Sequence, residues 1–205
     1  MIISHKYKFI FVKTRKTAGT SLEVTLSKYC GPEDVFSVIN PPEEGHEPRN
    51  YMIDQSAGLE YYNHMPAREM KAQIGEEIWN SYFKFCYERH PYLKAVSLYR
   101  MHRHHYKGDK TQYTFDRWLI PQNLPIDFDL YTDEDGKPMV DQIFRYRSLN
   151  ETFPAVCQKL GIPCQGLESR AKSTYEKAQV DLTPAHKAFL QEQYAREFAA
   201  FGFPK

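Results

Sequence analysis

Apolar and polar positions divide the chain into short runs separated by turn-rich stretches. The run FIFV, with no polar position, is the pattern of a strand covered on both faces and predicts a strand over about 8–12. A polar loop follows, after which Leu22, Leu26 and Tyr29 recur at helical spacing. Residues 31–62 have no clear period; their turn-rich stretch NPPEEGHEPRN is the kind of loop that borders substrate sites on α/β scaffolds. In PAREMKAQIGEEIW, Pro66 at the first helical position and Met70, Ile74 and Ile78 on one face predict a helix. YFKFCY predicts a second apolar strand, with a sharp switch at ERHP and a helix begun by Pro91. The segment 107–138 is polar and punctuated by PQNLP and DEDGKP. Beyond it, DQIFRYRSLNETFPAVCQKLGIP predicts a strand or turn, then a helix over about 151–160 stopped by Gly161 and Pro163. A last helix is expected over about 184–201, ending at Gly202.

Strands followed by helices predict an α/β fold of three layers, with a P-loop-like central parallel sheet flanked by helices. At 205 residues the chain is expected to form a single domain, 1–205, with a sizeable core. Lys and Arg number 27 against 26 Asp and Glu, so no global field argues for nucleic acid or an anionic membrane. Aromatic residues make up 15%, enough for aromatic-lined clefts, although rings also fill cores. The opening MIISHKYKFIFVK has neither the apolar length nor the small-residue cleavage site of a secretory leader. No stretch approaches the ~18 apolar residues of a spanning helix. Cys30, Cys86, Cys157 and Cys164 show neither C-x-x-C spacing nor zinc-finger histidines, so reduced thiols in a cytoplasmic protein are expected.

The loop between the first strand and its helix carries the chemistry. Lys13, Arg15 and Lys16 stand beside Thr17, Gly19, Thr20 and Ser21. A strand–loop–helix unit of this kind points backbone N–H groups at an anion, usually a phosphate. Gly19 permits close backbone approach, while Thr20 and Ser21 either cap the helix or give hydroxyls to the anion. A nucleotide triphosphatase would need G-x-x-x-x-G-K-[ST]; here Lys16 precedes Gly19 by three residues, and no Gly-Lys-Ser/Thr occurs. An anion held without the usual magnesium arrangement is expected.

The order Lys-Thr-Ala-Gly-Thr-Ser in VKTRKTAGTSLE resembles the 5′-phosphosulfate loop of sulfotransferases that use 3′-phosphoadenosine 5′-phosphosulfate (PAPS), closest to the carbohydrate-type and bacterial branch. Arg15 replaces the usual proline and Ala18 the first glycine. YFKFCYERHPYLKAVSLYR is similar to the family's 3′-phosphate element, an apolar strand ending in Arg-Asn-Pro with a serine eight residues after the arginine; the matching positions are Arg89, Pro91 and Ser97, with His90 for asparagine. Weaker similarity covers NHMPAREMKAQIGEEIWNSYFKF, YTDEDGKPMVDQIFRYRSLNETF and YAREFAAFGF, with Arg147 and Ser148 where the family more often has Glu-Asn.

The resemblance implies transfer of a sulfuryl group from PAPS to an acceptor hydroxyl or amine, leaving adenosine 3′,5′-bisphosphate (PAP), with no metal. Arg15, Lys16, Thr17, Ala18, Gly19, Thr20 and Ser21 would hold the 5′-phosphosulfate, and Arg89 and Ser97 the 3′-phosphate. Lys16 would stabilise charge on the leaving phosphate. Of the eight histidines, His64 in YYNHMPA is the leading candidate for general base, with Glu60 and Glu23 behind it. His102, His104 and His105 suggest a basic helix end rather than a metal site, since no carboxylate completes a ligand set. Arg170 and Lys172 are further candidates for reaching the donor. A small-molecule or saccharide acceptor is expected, and no nucleic acid. The rivals are a P-loop-type small-molecule kinase, marked by magnesium-dependent ATP binding, and a non-catalytic nucleotide-binding protein, marked by PAP binding without turnover.

Overall fold

Two short apolar runs open the chain as an antiparallel pair, β1 (Ile2–Ser4) and β2 (Phe9–Phe11), with Ile3 opposite Ile10. The turn between them contains Lys8 at φ 54° and is tied down by Asp34, whose carboxylate accepts from Ser4 Oγ and from the His5 and Lys6 N–H groups. After α1 (Gly19–Ser27), β3 (Val35–Phe36) pairs antiparallel with β1. β4 (Met52–Asp54) and β5 (Leu59–Glu60) form a second, two-stranded sheet. Helices α2 (Ala67–Ile74) and α3 (Glu76–Ser81) lead to β6 (Phe83–Glu88), which lies parallel to β2. The chain continues through α4 (Pro91–His105), the single turns α5 (Phe115–Trp118) and α6 (Phe128–Tyr131), and β7 (Gln142–Arg145), parallel to β6. It ends with α7 (Leu149–Leu160), α8 (Pro184–Gln193) and α9 (Ala195–Phe201). The computed structural model describes residues 1–168 and 179–205. They fall into two compact units: Met1–Glu88 with the described part of Asp129–Ala171, and Arg89–Phe128 with the described part of Lys172–Lys205.

The main sheet, ordered β3-β1-β2-β6-β7, is mixed rather than wholly parallel. The reason is connection length. A four-residue turn can join β1 to β2 only as antiparallel neighbours, whereas β2 reaches β6 after intervening helices, as parallel neighbours require. Alternation along the strands assigns the faces. Phe9, Phe11, Phe85 and Tyr87 share one buried cluster with Leu22 and Leu26 of α1 and with Phe153, Val156 and Cys157 of α7. On the opposite face, Lys84 Nζ bonds the Trp79 carbonyl at 3.0 Å and lies over the Trp79 ring, placing α3 there. Helices on both sides of a mixed sheet give the α/β architecture.

Three helix expectations change. The helix from Pro66 is two helices, broken at Gly75, whose φ of 83° and ψ of 159° interrupt the helical path; Pro66 is the extended residue before the first turn. The last helix divides at Tyr194 (φ −105°, ψ 29°). The helix expected from about 151 begins at Leu149. In the second unit, α4 contributes Tyr92, Ala95, Val96, Leu98 and Tyr99 to a cluster with Phe115, Trp118, Leu190, Tyr194, Phe198 and Phe203. Lys94 and Asp127 form a buried ion pair there at 2.8 Å. No helix among the described residues is long and apolar enough to cross a membrane.

Candidate functional site

The loop after β2 stays against the sheet as it turns. The Val12 N–H donates to the Phe85 carbonyl, and the Thr14 hydroxyl donates to the Tyr87 carbonyl, so the loop is fastened to β6 near that strand's C-terminal end. Thr17 Oγ1 lies 2.9 Å from Thr14 Oγ1 and 3.1 Å from the Thr14 carbonyl, bracing the curve internally. Its hydroxyl therefore works within the loop. Lys16 (φ 62°) and Ala18 (φ 61°) both adopt the left-handed conformation, with Thr17 between them. Left-handed residues in a tight loop turn successive N–H groups toward one concavity, the arrangement that receives anions. For residues with a Cβ this conformation costs about 1–2 kcal/mol each, so glycine at position 18 would be the relaxed choice.

The loop leads directly into the start of α1. Ala18 is the N-cap and makes no side-chain hydrogen bond to the first turn, which holds Gly19, Thr20 and Ser21. Capping therefore does not account for Thr20 and Ser21, which lie inside the helix. Every residue of α1 except Thr20 is buried. Such a helix directs the positive end of its dipole at whatever the loop holds. Arg15 and Lys16 are half-buried beside it.

Lys13, the third cation of the loop, has a different place. Its side chain continues the face of β2 defined by Phe9 and Phe11 and runs toward α1, where Nζ pairs with Glu23 Oε2 at 2.5 Å. Lys13 is 2% exposed and Glu23 is fully buried. The Met1 amino group bonds the other Glu23 oxygen and also donates to Ser37 Oγ at 3.0 Å. Burial alone would push the Glu23 carboxyl up; the Met1 amino group and Lys13 outweigh it and hold the carboxyl below its ordinary range. Glu23 is thus a committed ion-pair partner and a poor base. Glu60 is exposed on β5. Gly19 lies directly over the Lys13 stem: a Cβ there would come within 2.6 Å of Lys13 Cγ.

His64 meets the loop from behind. It is half-buried, its own φ is 63°, and its Nδ1 is 2.8 Å from the Lys13 carbonyl. A carbonyl only accepts, so Nδ1 carries the hydrogen and Nε2 is the nitrogen with a lone pair for a proton. The structure thus brings His64 together with the loop through its Nδ1. Lys13 supplies that contact. Sequence reasoning placed it among the loop cations and missed its role, although two-residue alternation from Phe9 and Phe11 puts it on the inward face.

The other residues of the resemblance lie in the second unit. Arg89 follows directly on Glu88, the last residue of β6, and is half-buried. His90 is the N-cap of α4: its Nδ1 accepts from the Tyr92 N–H at 3.3 Å, and its Nε2 is 2.9 Å from the Pro204 carbonyl. An asparagine oxygen in this position could cap in the same way. Pro91 opens α4, and Ser97 lies half-buried along it. Of the histidine cluster, His102 accepts from the Trp118 indole N–H at 2.9 Å, whereas His104 and His105 are exposed. Arg170 and Lys172 lie outside the described residues.

No family model matches the chain, and no solved structure matches it. A protein of Archaeoglobus fulgidus, described only as an uncharacterized protein, is 33% identical over 104 residues, which span 48% of this chain and 84% of the archaeal one. With that identity across most of the archaeal protein's length, the chain belongs to the family of this uncharacterized A. fulgidus protein.

Proposed function

We propose that the chain is a cytoplasmic PAPS-dependent sulfotransferase with a P-loop-like fold, moving a sulfuryl group to an acceptor hydroxyl. The observation that carries this reading is the loop between β2 and α1. There the order Lys-Thr-Ala-Gly-Thr-Ser coincides with left-handed backbone at Lys16 and Ala18 and a helix start without a side-chain cap. Backbone donors, a helix terminus and one lysine suit a sulfate-terminated donor, whose terminal group carries less charge than the γ-phosphate of a triphosphate. Arg15 to Ser21 would take the 5′-phosphosulfate. Arg89 and Ser97 carry the 3′-phosphate role through the resemblance, and Arg89 offers the planar fork that recognises a phosphate.

In the transfer, the acceptor oxygen bonds to sulfur while the bond from sulfur to the bridging oxygen breaks. The electron pair stays on the bridging oxygen, now part of the 5′-phosphate of PAP, and Lys16 stabilises the charge that develops there. His64 Nε2 takes the acceptor's proton. The protein contributes position and electrostatics, as in phosphoryl transfer.

The test is titration calorimetry with PAP, and with ATP in the presence and absence of magnesium. Expected are metal-independent PAP binding and a loss of about 10–100-fold in affinity on Arg89→Ala, the scale of one charge-assisted hydrogen bond. An absence of PAP binding, or a magnesium-dependent preference for ATP, would overturn the reading. PAP binding with no turnover on any acceptor would instead identify a nucleotide-binding module.

A further inference from the structure

We propose that Lys13 is a positioning residue for His64: threaded beneath Gly19 and paired to Glu23, it fixes the peptide whose carbonyl selects the His64 tautomer. This rests on His64 acting as the base in the reading above. Three independent contacts converge on Lys13. Its Nζ is pinned by Glu23, one turn inside α1. Its stem runs so close under Gly19 that a single added methyl would reach Cγ at 2.6 Å. Its carbonyl accepts from His64 Nδ1 at 2.8 Å. The next residue, Thr14, is itself bonded to the Tyr87 carbonyl, so the peptide between 13 and 14 is anchored on both sides.

The chemistry explains why a charged residue occupies a position that an apolar one would fill more cheaply. A neutral imidazole left to itself favours the Nε2–H tautomer, and only the one protonated on Nδ1 presents Nε2 as acceptor. One fixed carbonyl decides between them. A leucine at position 13 would continue the apolar face of β2, but it could not pin the strand end to the helix that carries the anion loop. Gly19 takes a second role here. Beyond any contact with an anion, its missing side chain is the space through which Lys13 reaches Glu23.

The experiment is long-range proton–nitrogen NMR on the whole chain labelled with ¹⁵N-histidine, in the absence of nucleotide, at a pH where the imidazoles are neutral. His64→Gln identifies the His64 signals. In the wild type, the Nδ1–H tautomer is expected as the major form, because one hydrogen bond of ordinary net strength outweighs the preference of a free imidazole for Nε2–H. Gly19→Ala leaves every charge in place and should shift the population back toward the Nε2–H form that a free imidazole prefers. The double variant Lys13→Met with Glu23→Gln removes both charges of the pair and leaves the Met1 amino group facing a neutral amide; it should do the same, and decides the matter if Gly19→Ala does not fold. A wild-type His64 in the opposite tautomer, or an undiminished excess in a folded variant, would overturn the proposal. Titration of the wild type with PAP is read separately. If PAP fails to bind while the tautomer still depends on Lys13, the sulfotransferase reading falls and the positioning role stands. If PAP binds and the tautomer does not respond, only the positioning role falls.

Discussion

At Lys13 and Glu23, two charges are removed from water and compensate each other, which sets a clear cost for removing either one. Lys13→Met leaves the Glu23 carboxylate with one of its two cationic partners, the Met1 amino group, in a site with no solvent access. A loss of about 3 kcal/mol is expected in urea unfolding, and a distinctly smaller loss when Glu23→Gln accompanies it. Equal losses in the single and double variants would refute the pairing as the cause. His46 raises a different question of charge. Its ring stands edge-on to Phe36 at 6.0 Å and is 8% exposed, and its Nε2 is buried without a hydrogen-bond partner among the described residues. Burial lowers its pKa from 6.5, so on acidification the unfolded chain takes up this proton before the folded one. The contribution is therefore complete above about pH 6.5 and lost as pH falls below it. His46→Leu should flatten the decline in melting temperature between about pH 7.5 and about pH 5.5; an unchanged slope would count against it. The depressed Glu23 carboxyl acts in the same direction, but only below its ordinary 4.5.

Between elements, backbone conformation sets the boundaries, and two of them can be tested. Gly75 separates α2 from α3 in a φ/ψ region that only glycine visits readily, and a Cβ there would meet nothing within 4 Å. Gly75→Ala should therefore cost about 1–3 kcal/mol through backbone strain alone, measured by chemical unfolding. At the start of α4, His90→Ala removes the cap and should cost about 1 kcal/mol, of which His90→Asn recovers the capping part. Such boundaries also explain what the sequence made legible. The run at Phe9–Phe11, the apolar strand before Arg89, the helix started by Pro91 and the stop at Gly161 were readable, because burial period and proline or glycine chemistry act locally. The strand at Ile2–Ser4 was hidden because its apolar run stops at Ile3 and polar residues follow, whereas the run at Phe9–Phe11 continues into Val12. The break at Gly75 was hidden because Met70, Ile74 and Ile78 keep helical spacing across it. In the loop, residue order signalled an anion, whereas the left-handed turns at Lys16 and Ala18 occur at residues that rarely adopt them. The inward course of Lys13 was masked by its neighbours Arg15 and Lys16, which made it look like one of three equivalent cations.

For the molecule as a whole, charge is balanced at a formal +1, so the proposed anion site would have to be local. The chain is expected to leave a heparin column at low salt while still binding the small bisphosphate; tight retention would mean that a broad basic face had been overlooked. The main sheet also bears on behaviour at high concentration. One of its margins is β3, only two residues long and partly closed by the bridge from Phe36 to Arg49. The other is β7, whose ends are Gln142 and Arg145. Sheet margins that are short, covered or charged give a second chain little template for adding a strand. The order of the strands thus leaves the main sheet little margin on which another chain could add, and lengthening β3 would be the direct way to lose that protection.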